Sequence, residues 1–242
     1  MAQDSTAKAP VLPADTVIVK PKTDWKKINL TNRPNDHFMI QFGYDGWTNT
    51  PDTINIQGFS RHFNFYLMYD MPFKTAPRLS VAAGLGVGSS SIFFDKTNID
   101  IAGKINPTRI SFMNAENTEH FKKYKIANTW VEVPVELRYV SDPLHSGNSF
   151  KVAIGAKVGT LVDAHTKGKN LESSTGQSLN GTKYVAKEKS KKYFNNPRLA
   201  ATLRIGYGPV TLYGAYMINH LFKDNQGPAV NVYSTGICIS GL

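Results

Sequence analysis

The chain reads as an all-β protein, an eight-stranded antiparallel transmembrane β-barrel of the outer-membrane type with up-and-down meander order. Three observations predict this. Eight segments alternate apolar and polar residues with period two, which is the strand signature. The connections between them alternate short and long, as expected when tight turns face one side of a membrane and larger loops the other. No run of about 18 apolar residues is present to cross as a helix.

The segments are residues 38–47, 61–71, 78–94, 124–140, 150–165, 198–208, 210–220 and 230–242. In the second, Phe63, Phe65, Leu67, Tyr69 and Met71 oppose Asn64, Tyr66, Met68 and Asp70. In the third, Gly84, Gly86 and Gly88 leave room for long side chains from other strands. The fourth sets Val131, Val133, Val135, Leu137 and Tyr139 against Glu132, Pro134, Glu136 and Arg138, with a bulge expected at Pro134 because proline removes a ladder donor. The fifth sets Phe150, Val152, Ile154 and Val158 against Lys151, Lys157 and Asp163; the sixth sets Leu199, Leu203 and Ile205 against Arg198 and Arg204. Connections 72–77, 141–148 and 208–209 are short, whereas 48–60, 96–123 and 166–195 are long and 223–229 is intermediate.

If the apolar faces meet lipid, the charges must pair inside. The expected interior holds Asp70, Glu132, Glu136 and Asp163 against Arg138, Lys151, Lys157, Arg198 and Arg204, and buried charges require such partners. Pairing Val140 near Phe150 places Glu132 opposite Lys157. Aromatic residues near strand ends, including Tyr44, Trp47, Phe93, Phe94, Trp130, Tyr139, Phe150, Tyr207 and Tyr233, are expected as interfacial girdles. A lipocalin-like carrier would need an apolar cavity, which the charged inward faces disfavour.

The net charge of +10 is local. Residues 1–35, 96–123 and 166–195 carry excesses of three, two and five positive charges, which account for all of it. Such loops are either simply solvated runs or attract phosphorylated glycolipid head groups; nucleic acid is the weaker counterpart, since the run 187–192 (KEKSKK) lies outside any recognition motif. The slightly negative mean hydropathy fits a barrel, where only one strand face meets lipid. The single cysteine, Cys238, excludes an intramolecular disulfide. The start Ala2-Gln3-Asp4 looks like a mature N-terminus with Met1 added. Residues 1–35 are expected to be a periplasmic tail, in which Trp25 and Leu30 either cap the mouth or belong to a tether, and residues 36–242 the barrel domain.

The stretches DWKKINLTNRPNDHFMIQFGYDGW (24–47), GLGVGSSSIFF (84–94), WVEVPVELRY (130–139) and KVAIGAKVGTLVDAHTK (151–167), with RIGYG, YGAY and LFKDNQGP from Arg204 onward, resemble the PorT-like outer-membrane β-barrel proteins of Bacteroidetes. The resemblance covers nearly the whole chain. It implies a small outer-membrane barrel with the N-terminal tail in the periplasm, and the family's namesake is associated with type IX secretion.

One constellation has the composition of a catalytic site. Asp163 and His165 share a strand face near the outer rim, and Ser89 or Ser91 could approach them from another strand, as a lipid hydrolase or acyltransferase needs. Rim polar groups are the preferred reading, so no catalytic residue is assigned. The six histidines show no metal-ligand spacing. GLGVGSS continues as a strand with no following lysine or helix, unlike a phosphate cradle. The expectation is a non-enzymatic structural or accessory subunit of the outer membrane, without cofactor. It has both termini in the periplasm, and its partners are outer-membrane lipid, lipopolysaccharide and other envelope proteins.

Overall fold

The computed structural model describes residues 37–240 apart from residue 53. The expected tail, residues 1–35, lies outside the described residues, as do residues 241–242. Eleven strands follow in order: β1 (Phe38–Thr48), β2 (Arg61–Pro72), β3 (Leu79–Phe94), β4 (Thr97–Asp100), β5 (Ser111–Asn114), β6 (His120–Val140), β7 (Phe150–Glu172), β8 (Val185–Lys189), β9 (Pro197–Tyr207), β10 (Val210–Met217) and β11 (Asn231–Ser240). Eight of them form a closed antiparallel ring: β1 pairs β2 and β11, β3 pairs β6, and β6 pairs β7, which continues through β9 and β10. All eight expected segments are strands of this ring.

The ring is inside-out relative to a soluble core. Leu212 is 67% exposed and Ile154 61%, whereas Glu132 is 0% and Lys157 2% exposed. Apolar side chains therefore line the outside, as a lipid-facing band requires. Turns at one rim are tight. Tyr207 pairs with Val210, and Gly208 takes φ +60, the positive φ that a two-residue type II′ hairpin needs at its first position, followed by Pro209 with its fixed φ.

Four details differ from the sequence reading. First, β7 runs on to Glu172 and β8 pairs back on it, so part of the lysine-rich loop is sheet; β4 and β5 form a second hairpin within the 96–123 loop. Second, the ladder runs unbroken between β6 and β7 at Pro134, opposite Lys157; the lost donor instead coincides with a lapse on the β3 side, between Ala83↔Val135 and Gly86↔Glu132. Third, the bulge lies one turn of pleat higher. Thr129 pairs with Asp163 and Trp130 with Leu161, leaving Val162 unpaired where β7 exchanges its partner β9 for β8. An extra residue reverses which face each later side chain takes, so Asp163 and His165 point outward, not into the barrel. Fourth, Glu132 stands opposite Gly159, two residues from Lys157.

Candidate functional site

The interior is a column of paired charges. Near the outer end, Asp45 accepts from Ser90 and from Ser234 Oγ (2.5 Å), with His62 Nδ1 at 2.8 Å. At mid-height Glu132 accepts from Tyr66, from Lys157 Nζ (3.1 Å) and from Arg198 Nη1 (2.9 Å), while the Arg198 guanidinium lies 4.5 Å over the Trp130 ring. The pairing of Glu132 with Lys157 thus holds although the register differs, because the lysine stem reaches diagonally. Nearer the short turns, Glu136 takes Arg204 (2.6 and 3.0 Å) and Arg138 (2.9 Å), and Arg138 approaches Asp70 at 3.8 Å. A Cβ on Gly88 would meet Glu132 Oε2 at 2.8 Å, and one on Gly159 would meet its Cγ at 2.8 Å; these glycines make space for the acid. An eight-stranded ring is wide enough only for such filling.

Asp45, His62 and Tyr213 belong to this column and were not singled out from sequence. A signal existed for Asp45: it shares strand parity with Met39, Gln41 and Trp47, all buried. The same parity corrects the aromatic girdle. Trp47, Phe94 and Trp130 are buried inward, at 7%, 4% and 1% exposure, while Tyr139, Phe150 and Tyr207 are exposed at the short-turn rim.

The mouth at the long-loop rim is covered by a second hydrophobic core. Loop residues Ile54, Ile99, Ile101, Ile110, Tyr193, Leu221 and Phe222 pack with Trp47, Phe94, Ile126 and Trp130 from the strands. Trp47 stands edge-on to Phe94 at 5.4 Å and to Phe222 at 5.8 Å. Polar contacts lock the loops to one another: Tyr193 Oη donates to Asn106 O (2.8 Å), Tyr124 Oη to Ile99 O (3.0 Å), and Lys104 Nζ lies 2.5 Å from Glu188. Asp100 accepts the amides of Ala102, Gly103 and Ile105. Burial raises its carboxyl, but these amides and that of Lys104 outweigh it and hold it below the usual carboxylate range. The long loops therefore fold into a cap.

On the outward face of the upper wall, Asp163 meets His165 Nδ1 at 2.7 Å and Lys189 Nζ at 2.5 Å. Neither Ser89 nor Ser91 joins them. Ser91 is opposite Ala127, which is opposite His165, so two strand spacings, about 10 Å, intervene; Ser91 Oγ accepts from Lys125 instead. Among the described residues no group of three or more His, Cys, Asp or Glu side chains is placed to hold a metal. The same face carries Lys123, Lys125, Lys167, Lys169 and Lys187 in facing rows, with Arg61 near Lys125 over the Phe93 ring.

The profile of the outer membrane protein beta-barrel domain family matches residues 32–221. The chain belongs to that family. It is an outer-membrane β-barrel, and the exposed apolar band is its lipid-facing surface. Among solved structures, one that it resembles is Ail, the attachment invasion locus protein of Yersinia pestis, in complex with the heparin analogue sucrose octasulfate; identity is 12%, the TM-score 0.36, and the match covers 85% of this chain and 96% of that one. No curated protein matches the chain.

Proposed function

We propose that this outer-membrane barrel is a non-enzymatic structural or accessory subunit of envelope machinery, presenting its cap to lipopolysaccharide and to other envelope proteins, with both chain ends on the periplasmic side. The resemblance to PorT-like proteins of Bacteroidetes points to protein secretion or outer-membrane assembly as the process served. The observation that carries the reading is the combination of a barrel filled by ion pairs with a mouth closed by packed loops. Such an interior offers no wide path for diffusion. A rigid cap, by contrast, suits recognition, because groups held on a folded scaffold lose little freedom on binding.

A second reading, a lipid-modifying enzyme, is favoured by one observation: the Asp163–His165 pair faces outward at 2.7 Å. Lysine at the same carboxylate and the two strand spacings that separate the pair from Ser89 and Ser91 weigh against it. The two readings separate in cells. Under the accessory reading His165→Ala leaves envelope function and partner recovery from native membranes unchanged, whereas trimming the hairpin tip, residues 174–183, reduces partner recovery without unfolding the barrel. Altered acylation of lipid A or phospholipid in the His165→Ala strain, with normal partner recovery, overturns the accessory reading.

A further inference from the structure

The upper wall places like charges directly opposite one another. Lys125 faces Lys167, which faces Lys187, and Lys123 faces Lys169. Facing pairs on adjacent strands stand about 5 Å apart between Cα atoms, and like charges so placed destabilise a sheet. Arg61 and Lys125 also flank one ring, at 5.4 and 5.6 Å from the centroid of Phe93. Acids on the surrounding elements do not relieve this crowding. Asp163 is taken by His165 and Lys189, Glu188 turns to the other face and meets Lys104, Glu172 lies 3.4 Å from Lys122, and Asp95 is the one acid that lines the cleft formed by Arg61, Phe93, Lys122, Lys123, Lys125, Lys167 and Lys169. That cleft is open, with a volume of about 540 Å³. Partial burial and the charges of Arg61, Lys167, Lys169 and Lys187 push the Lys125 ammonium below the ordinary lysine range.

Position supplies the partner. Arg61 is two residues above Phe63, and Lys167 five above Val162, both outward and exposed members of the apolar band. The cations therefore begin where acyl chains end, on a face turned toward neighbouring lipid rather than toward the barrel axis. We infer that this cleft binds the phosphorylated head group of an outer-leaflet glycolipid, with Lys125, Lys167 and Lys187 as the phosphate-holding row and Phe93 as the floor. Phosphate neutralises the row, and the acyl chains lie along Phe63 and Leu85 below it. The site rests on the orientation proposed above, with the cap outside the cell; protease access to intact cells tests that orientation by itself, so the two failures are distinguishable.

The test uses the full chain in neutral detergent, titrated with bis-phosphorylated lipid A, with the same lipid after phosphatase treatment, and with inorganic phosphate. Binding and the thermal unfolding midpoint are both read. The bis-phosphorylated lipid raises the midpoint, the dephosphorylated lipid does not, and inorganic phosphate acts only at much higher concentration. The K125S/K167S/K187S protein binds the phosphorylated lipid about a hundredfold more weakly, from about a factor of five per cation at an anionic surface. A control lacking Lys74 and Arg78, in the short turn at the opposite rim, binds normally. Without lipid, the triple variant is as stable as the parent or more so, since repulsion is removed, which separates lost binding from lost folding. Equal response to both lipids, undiminished binding by the triple variant, or response to inorganic phosphate as strong as to the lipid overturns the assignment.

Discussion

Glu132 neutralises two cations, and this makes the interior asymmetric to mutation. Removing the acid leaves Lys157 and Arg198 buried together without a counter-charge, whereas removing Lys157 leaves Glu132 still held by Arg198 at 2.9 Å. Glu132→Gln should cost about 3–5 kcal/mol, and Lys157→Met about 1 kcal/mol or less. Heat-induced unfolding in detergent, followed by gel mobility, measures both. Equal losses would mean that Arg198 does not share the acid. A pair read from sequence alone suggests that E132K/K157E should recover stability; in the structure it sets a new lysine beside Arg198, and no recovery is expected.

The Val162 bulge decides which face of the upper β7 meets the cap. Below it Lys157 and Leu161 point inward; above it Ala164 and Thr166 do, and Asp163, His165, Lys167 and Lys169 point out. Deleting Val162 makes Asp163 follow Leu161 directly, which restores simple alternation and keeps those four polar residues outward. The cap should therefore persist, with little change in the rate at which protease cuts residues 166–195; a several-fold faster cut would show that the bulge itself is needed to seat the cap. Acid acts on the neighbouring loop through Asp100. Its carboxyl is lowered in the folded state, so its stabilising contribution is complete above the unfolded carboxylate range, about pH 4, and disappears as pH falls through the lower folded value. Hydrogen exchange of the amides of Ala102, Gly103 and Ile105 should therefore accelerate only below about pH 4, and Asp100→Asn should exchange rapidly at neutral pH as well.

At the scale of the whole molecule, the exposed apolar band means that the protein needs detergent and should migrate differently before and after boiling. Monodisperse behaviour in plain buffer is incompatible with that band. The loops that form the cap and the tight turns lie at opposite rims, so external protease should reach only one of them. In intact cells the expected cut is at Lys183, in the exposed tip of the β7–β8 hairpin; cleavage within residues 141–149 with the tip protected would reverse the orientation.

The eight ring strands and their closed up-and-down order were legible in the sequence, because period-two alternation and loop length are local properties that each segment displays by itself; the extensions of β6 back to His120 and of β7 on to Glu172, and the strands β4, β5 and β8, were not. The ion pair of Glu132 with Lys157 was legible too, since a charge on the inner face of a narrow ring must find an opposite one. The outward turn of Asp163 and His165 was not. It depends on one unpaired residue, Val162, whose extra place exists only because β7 changes partners there, and no feature of the segment 150–165 records which strand lies beside it. The cap was hidden for a similar reason: Ile54, Ile101, Ile110, Tyr193 and Phe222 are scattered through loops without periodicity, and they become a core only when four connections converge on one mouth. The lysine rows likewise looked like solvated runs, because like charges become facing neighbours only when the register of β6, β7 and β8 sets them side by side.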